Sequence, residues 1–557
     1  MTAGPIQKID PTDDLFSSFF RSALLHGDRI VFKAQGGKGK IYSYKEVLET
    51  VSKFGAGLQS ECPNESEIGL LSENRPEWPI AYLSILSAGK TVVPIDINLK
   101  PDEIKHIVEH SKIKTLILSD KVENDISKIA GNLRLISFSQ KSAHSWNQLL
   151  RLKSESAALK SGDIASLIYT SGTTGAPKAV MLTHGNLLSN LKSIEQCLEF
   201  GEHDVFLSVL PLHHTFESTA GFLTPVNFGA RIVYARSLKS KEIVEDIKYN
   251  GVTIMCGVPL LFEKMYISIM HKINEASLFK RVMFKVLFSL SSFGWKLKMK
   301  WGRFLFRNMR NAAGLGTIRL FVCGGAPLPD RIAAFFNLIG FTFLEGYGMT
   351  ECSPVISVNL PGNTKFGSVG PVLPGIEVKI NQPDEFGVGE IIVRGGSVTP
   401  GYKNNPEKTA ELIKDGWLHT GDLGKFARGH LWITGRAKNL IVSAAGKNIY
   451  PEEIEEKLML SPFILEALVL GQKKVASATR QGEEVKAIIV PDLEQFAAHF
   501  QMPVDKPDLV KIKSIIEQEV SKTNAAMSDY KRISSFELRL AELEKTSTKK
   551  VKRFVYI

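Results

Sequence analysis

Residues 169–178 read Tyr169-Thr170-Ser171-Gly172-Thr173-Thr174-Gly175-Ala176-Pro177-Lys178, and they lie between two apolar, strand-length runs at 164–168 and 179–182. Gly172 and Gly175 allow the backbone a tight turn between those runs. The hydroxyls of Thr170, Ser171, Thr173 and Thr174, the exposed backbone N–H groups and the Lys178 ammonium are groups suited to phosphate oxygens. The order is not GxxxxGK[ST] opening a helix, so this is no Walker A loop. By composition alone the stretch also reads as a Ser/Thr/Gly turn without a ligand.

Outward from this loop, short apolar runs alternate with helical patterns. Ser43 and Glu46 have capping-box spacing, and Val47, Val51, Phe54 and Leu58 then share one helical face. Strands are predicted at 68–71, 91–95, 115–118, 205–210, 231–234, 252–255 and 320–322, with a helix at 77–88 stopped by Gly89. Such alternation predicts an α/β fold, with a large N-terminal domain of mostly parallel sheets flanked by helices. After about residue 365 the pattern changes to short strands at 377–380, 389–393 and 431–434 between Gly- and Pro-rich turns, which reads as a small β subdomain. Past Arg436 come a helix at 451–458, strands at 467–470 and 485–490, and a helix with Leu509, Ile512, Ile516 and Val520 on one face. That predicts a small C-terminal α+β domain, and the expected division is 1–437 and 438–557.

The 557 residues suffice for several cores. A hydrophobic share of 44% and a charged share of 23% belong to a globular chain. With 69 Lys and Arg against 58 Asp and Glu the net charge is +11, which suits polyphosphates, CoA-like ligands, anionic membrane surfaces or nucleic acid without choosing among them. The five cysteines are scattered, odd in number and never form a CxxC pair, which argues for a reducing compartment and against disulfides or a zinc site. No signal peptide is read at the N-terminus and no apolar run approaches the ~20 residues of a membrane span, so a cytoplasmic location is expected.

Further strings carry chemistry. Gly324-Gly325-Ala326-Pro327 precedes Glu345-Gly346-Tyr347-Gly348-Met349-Thr350-Glu351. Tyr347 offers a π face to a base, the Thr350 hydroxyl can meet a phosphate, and Glu351 is a hard oxygen ligand suited to Mg²⁺. Alone, this second string reads equally as a Gly-flanked turn before a strand. Trp417-Leu418-His419-Thr420-Gly421-Asp422, Ile433-Thr434-Gly435-Arg436-Ala437-Lys438 and Ser443-Ala444-Ala445-Gly446-Lys447-Asn448 follow, and the tail carries Glu544-Lys545-Thr546-Ser547-Thr548-Lys549-Lys550-Val551.

Taken in this order, from about Tyr42 to the last residues, these strings resemble the adenylate-forming (AMP-binding) superfamily of acyl-CoA synthetases, peptide-synthetase adenylation domains and luciferases. The resemblance is closest to bacterial-type long-chain fatty acyl-CoA synthetases. It implies ATP and AMP binding by Thr170, Ser171, Gly172, Thr173, Thr174, Gly175 and Lys178 in the phosphate loop. Gly325, Ala326, Pro327, Glu345, Gly346, Tyr347, Gly348 and Thr350 would surround the adenine and α-phosphate, and Asp422 and Arg436 would meet the ribose. It further implies Glu351 as the Mg²⁺ ligand and Lys438 as the hinge of a mobile C-terminal domain. Ser443, Gly446 and Lys447 would line a CoA tunnel, with Lys550, Thr350, Glu351 and His214 at the chemistry. The tail departs from the family pattern by Glu544 in place of Pro and Lys549 in place of Gly, so Lys549 remains a rival register for the catalytic lysine.

Pro211-Leu212-His213-His214-Thr215-Phe216-Glu217 resembles the wall of a long-chain acyl pocket, with His214 as the gating ring. A His pair also fits a metal site, but no partner spacing supports one, and packing is the expected role. Ser218 stands where some relatives carry a gating Trp. Residues 278–310 mix apolar and basic side chains, with Trp295 and Trp301 and no acidic residue, as a peripheral contact with an anionic membrane requires. A helical pair with a solvated basic face has the same composition. The implied reaction is ligation of a fatty acid to CoA with ATP and Mg²⁺, the alternatives being an acyl carrier protein as acceptor or a non-catalytic nucleotide- or lipid-binding relative. No nucleic-acid partner is expected.

Overall fold

The strand–helix alternation of the first half builds two sheets in this computed structural model. It describes residues 8–34, 40–128, 131–151, 159–170, 178–443, 447–473, 483–500, 502–503, 507–545 and 551–556. One sheet has eight strands, in the order Val355–Val358, Thr342–Gly348, Leu320–Cys323, Ile254–Gly257, Val205–Ser208, Arg231–Tyr234, Ile30–Lys33 and Ile41–Ser43. Its end pairs are antiparallel and every pair between them is parallel. The other runs Gly401–Tyr402, Lys178–Thr183, Ile164–Thr170, Thr91–Ile95, Glu67–Leu71, Thr115–Leu118 and Arg134–Ser137, parallel from Ile164–Thr170 onward. Their inner strands are almost wholly buried, as parallel strands covered on both faces must be.

The helices start where the sequence signals them. Ser43 Oγ accepts from the Glu46 N–H and Glu46 Oε2 accepts from the Ser43 N–H at 2.7 Å, closing the capping box of helix Tyr44–Glu61. Val47, Val51, Phe54 and Leu58 are then wholly buried, each worth roughly 1.5–3 kcal/mol of apolar burial.

Two compact units emerge. The first comprises Met1–Val378, Val393–Leu418 and Gly429–Leu431, and the second Lys379–Ile392, His419–Arg428 and Trp432–Ile557. In the second, strands Ile464–Lys473 and Glu483–Pro491 pair antiparallel, and Ile533–Leu538 joins parallel. Helices Pro451–Leu458 and Leu509–Ala525 bury Ile454, Leu458, Ile512, Ile516 and Val520 into the core beside this sheet. That is the α+β arrangement expected past Arg436, within a unit that also takes in 379–392 and 419–428.

One local detail departs from the sequence reading, and one from the usual turn preference of a Gly-Asp pair. The Glu345–Gly348 string is strand rather than turn, because Gly346 and Tyr347 pair with Val358 and Ser357. Any side chain at Gly348 would collide with the Pro354 carbonyl. Asp422 likewise lies within a strand, Trp417–Ala427, with Gly421 taking the positive φ there. Residues 278–310 form helix Leu278–Lys296 and the shorter Gly302–Leu305 and Arg307–Ala312.

Candidate functional site

In the first unit the motifs converge on Tyr402. Strand Thr342–Gly348 carries Glu345, Gly346, Tyr347 and Gly348 to a 3₁₀ turn, Thr350–Cys352, in which Glu351 is buried. Its Oε1 accepts from the Tyr402 hydroxyl at 2.8 Å, and its backbone carbonyl accepts from the Thr399 N–H at 2.9 Å. Lys178, which closes the first loop, places its ammonium 5.0 Å from the centroid of the same Tyr402 ring, a cation–π distance. Strand Gly401–Tyr402 gains this position by pairing with Val180 and Met181. Burial and then the Glu351 charge push the Tyr402 phenol well above its ordinary range, so it stays a hydrogen-bond donor to the carboxylate. A carboxylate oriented by a hydroxyl is the donor chemistry that Mg²⁺ takes, and Glu351 fits it.

The segment leading to His213 and His214 is pinned by a residue that follows strand Glu67–Leu71 of the other sheet. Asn74 donates from Nδ2 to the Leu210 carbonyl at 2.5 Å and to Ser208 Oγ at 3.0 Å, and its Oδ1 accepts from the Leu212 N–H at 3.1 Å. The turn that follows presents His213 and His214, with ring centroids 4.2 Å apart. Phe216 lies against the backbone of Gly324, where an added Cβ would stand 3.3 Å from the ring. The segment and the Gly324–Pro327 string are therefore neighbours. Gly325, next along, has φ +90, a conformation that suits glycine.

Ser208 Oγ donates to Glu217 Oε1 at 2.6 Å at the start of a π-helical stretch, Glu217–Leu223. Gly221 faces that carboxyl, and a Cβ there would come within 2.5 Å of Glu217 Cδ. Burial pushes Glu217 up to about 8, against the smaller opposing effect of the Ser208 hydrogen bond. The fold thus holds a proton that the unfolded chain releases above about 4.5. Glu217 therefore contributes stability below that pH and loses it as pH rises toward 8. Glu217→Gln, neutral at every pH, is expected to melt higher than wild type at pH ~8 and to match it near pH ~5. Thermal melts of both proteins across that range check this.

In the second unit, Asp422 is buried and its Oδ1 lies 2.7 Å from Arg436 Nε. The Asp422 N–H donates to Thr420 Oγ1, whose hydroxyl donates to the Ile391 carbonyl at 2.7 Å. Lys438 sits in the 3₁₀ turn Ala437–Asn439 that follows, and Asn439 donates to Glu452 at 2.7 Å. Ser443 and Lys447 bond each other across the hairpin of Ile441–Val442 and Asn448–Ile449, and Lys447 Nζ lies 3.6 Å from Glu385. Near the C-terminus Lys545 bridges Val551, and the Lys552 N–H donates to the Glu544 carbonyl at 2.8 Å. Ser171, Gly172, Thr173, Thr174 and Gly175, with Gly446 and Lys550, lie outside the described residues.

Sequence reasoning missed Tyr402, Asn74 and the partner of the His pair. Asp96 Oδ2 lies 3.4 Å from His213 Nε2. Burial alone would raise the Asp96 carboxyl, yet His213 and then the Asn98 amides outweigh it and hold it well below the usual carboxylate range.

Two parallel-rich sheets flanked by helices, followed by a smaller α+β unit, are the architecture of adenylate-forming enzymes. The family model "AMP-binding enzyme" matches residues 19–403, and the chain belongs to that family. It is 30% identical over 490 residues to the peroxisomal long chain acyl-CoA synthetase 6 of Arabidopsis thaliana, covering 81% of this chain and 70% of that one. It is also 30% identical over 535 residues to the long-chain-fatty-acid–CoA ligase FadD15 of Mycobacterium bovis, covering 87% and 85%. In fold it is similar to ATP-bound MatB from Rhodopseudomonas palustris, with a TM-score of 0.77, 23% identity and 98% of each chain covered.

Proposed function

We propose that this chain is a long-chain fatty acid–CoA ligase. It adenylates a fatty-acid carboxylate with ATP, releases pyrophosphate, and passes the acyl group to the CoA thiol with loss of AMP. The observation that carries the reading is the Lys178–Tyr402–Glu351 chain, which draws together the end of the phosphate-type loop and a metal-type carboxylate. The names of the relatives support the substrate class.

In the first half-reaction a carboxylate oxygen attacks the α-phosphorus and the bond to pyrophosphate breaks. The loop at Thr170–Lys178 and Thr350 hold phosphate oxygens, Tyr347 stacks on adenine beside Gly325, Ala326 and Pro327, and Asp422 with Arg436 meets the ribose. Mg²⁺, held by Glu351, would draw negative charge from the phosphates; Tyr402 positions that carboxylate. Lys550 supplies a cation to the pentavalent phosphorus. In the second half-reaction the thiol sulfur attacks the acyl carbonyl and AMP leaves. Lys438 is the pivot between the two, and Ser443, Gly446 and Lys447 accompany the pantetheine. His214 gates the acyl chain.

The acceptor is tested directly by supplying palmitate, ATP and Mg²⁺ with either purified CoA or a purified acyl carrier protein. Palmitoyl-CoA is the expected product; thioester on the carrier alone would make the chain an acyl-carrier-protein synthetase instead.

One observation favours membrane contact during this cycle. Helix Leu278–Lys296 packs Phe284, Leu287 and Phe288 on the core, yet Phe279, Val282, Val286, Leu290 and Phe293 are all exposed on the outer side. Phe304 is 85% exposed, and Lys280, Arg281, Lys285, Lys296, Lys298, Lys300 and Arg303 are exposed along the same stretch. No helix among the described residues is long and apolar enough to cross a membrane. An apolar stripe set in cations suits the interface of an anionic bilayer. The protein is expected to sediment with phosphatidylglycerol vesicles and not with phosphatidylcholine vesicles, and Phe279→Ser with Phe304→Ser is expected to abolish the difference. Unaltered sedimentation of that variant would remove the face from the account.

A further inference from the structure

Asp96, His213 and His214 converge so that one ligand atom of each lies within 4.8 Å of the other two. They come from different elements: Asp96 directly follows strand Thr91–Ile95, and the histidines occupy the turn clamped by Asn74. Asp96 and His213 are each more than nine-tenths buried. Neither Asp96 Oδ2 nor His213 Nε2 makes a hydrogen bond, although they face each other at 3.4 Å. That separation is long for a hydrogen bond between such groups. It is, however, the spacing of two ligand atoms on one tetrahedral ion, about 3.3 Å for bonds of ~2.0–2.1 Å.

The remaining carboxylate oxygen is already engaged. Asp96 Oδ1 accepts from the Asn98 backbone N–H at 2.9 Å and from Asn98 Nδ2 at 3.0 Å. Fixing one oxygen and aiming the other inward is how outer hydrogen bonds orient a metal-binding carboxylate. Two imidazoles and one carboxylate make a borderline donor set that suits zinc, cobalt or nickel, whereas Mg²⁺ prefers oxygen alone. Three protein ligands leave the fourth position of a tetrahedral ion open.

We propose that Asp96, His213 and His214 form a binding site for a zinc-class divalent ion, separate from the Mg²⁺ carboxylate Glu351. Occupancy ties down the His214 ring. If His214 gates the acyl chain, as proposed above, the bound ion opposes entry of the fatty acid. The site itself does not depend on that role.

Co²⁺ is the probe, titrated into the full chain with AMP and excess Mg²⁺ present. The expected result is saturable visible d–d absorption at one ion per chain and a Co²⁺-dependent rise in melting temperature. Both are expected to vanish in Asp96→Asn, which keeps the shape of the side chain, and in His213→Gln, with each variant's metal-free melt confirming that it folds. Zn²⁺ is then expected to raise the KM for palmitate severalfold in wild type and leave it unchanged in Asp96→Asn. No saturable absorption in wild type, absorption that persists in either variant, or a sulfur-to-cobalt charge-transfer band would each overturn the site. Absorption lost in both variants while the palmitate KM ignores Zn²⁺ would uphold the site and sink only the gating role of His214.

Discussion

Lys550→Ala is expected to lower the rate of acyl-adenylate formation about a thousandfold while sparing thiol transfer from a supplied acyl-adenylate. Two anions must meet at phosphorus in the first step, and pyrophosphate must leave as a third. A cation ~4 Å from such charge is worth roughly 4 kcal/mol at an effective dielectric of ~20. At ~1.4 kcal/mol per decade this is on the order of a thousandfold, provided the interaction is made in the transition state. Thiol attack on the acyl carbonyl needs no such charge cancellation. Single-turnover measurement of each half-reaction separates the two. Lys549→Ala serves as the register control, expected to retain most of the adenylation rate. Equal loss of both half-reactions in Lys550→Ala would place the lysine's role elsewhere, and a larger loss in Lys549→Ala would move the register by one.

Glu351→Gln is expected to reduce adenylation by about a hundredfold or more, the scale on which removal of one electrostatic stabiliser acts, and to raise the Mg²⁺ concentration giving half-maximal rate. The amide keeps the size of the side chain and an oxygen that can accept from the Tyr402 hydroxyl at the observed 2.8 Å, so the loss reports charge rather than packing. Tyr402→Phe removes only the hydroxyl that orients the carboxylate. Loss of an outer hydrogen-bond partner of a metal ligand costs ~10–100-fold, so its effect is expected to be smaller and to shift the Mg²⁺ dependence in the same direction. Steady-state rates over a Mg²⁺ series for both variants check the pair. A Tyr402→Phe protein with an unmoved Mg²⁺ dependence would reduce Tyr402 to a packing residue.

The architecture was legible because its signals are local. Ser43 and Glu46 are three residues apart, and the apolar runs that became buried parallel strands are continuous in the chain. The Gly-rich strings were legible for the same reason, down to the Lys178 that closes the first. Tyr402 was not: it meets Glu351 across 51 positions, and an aromatic after Pro-Gly carries no local mark of a hydroxyl aimed at a carboxylate. Asn74 reaches Leu210 across 136 positions, so its clamp on the His213–His214 turn exists only once both sheets have formed. Asp96 was hidden likewise, and with it the partner that the His pair lacked in sequence. Glu217 was read as part of a wall, yet a glutamate in a sequence speaks for surface, and only the packing of Gly221 beneath it reveals the burial. Asp422 in a strand rather than a turn is the same lesson at short range, since backbone pairing overrode the turn preference of a Gly-Asp pair.

The central claim is that this fold activates a long-chain carboxylate at the α-phosphorus of ATP. ATP–pyrophosphate exchange, with CoA left out, tests it most directly. The predicted result is isotope entering ATP in a Mg²⁺-dependent manner that saturates with palmitate and is not elicited by acetate. Exchange no greater than in a fatty-acid-free blank would contradict the account.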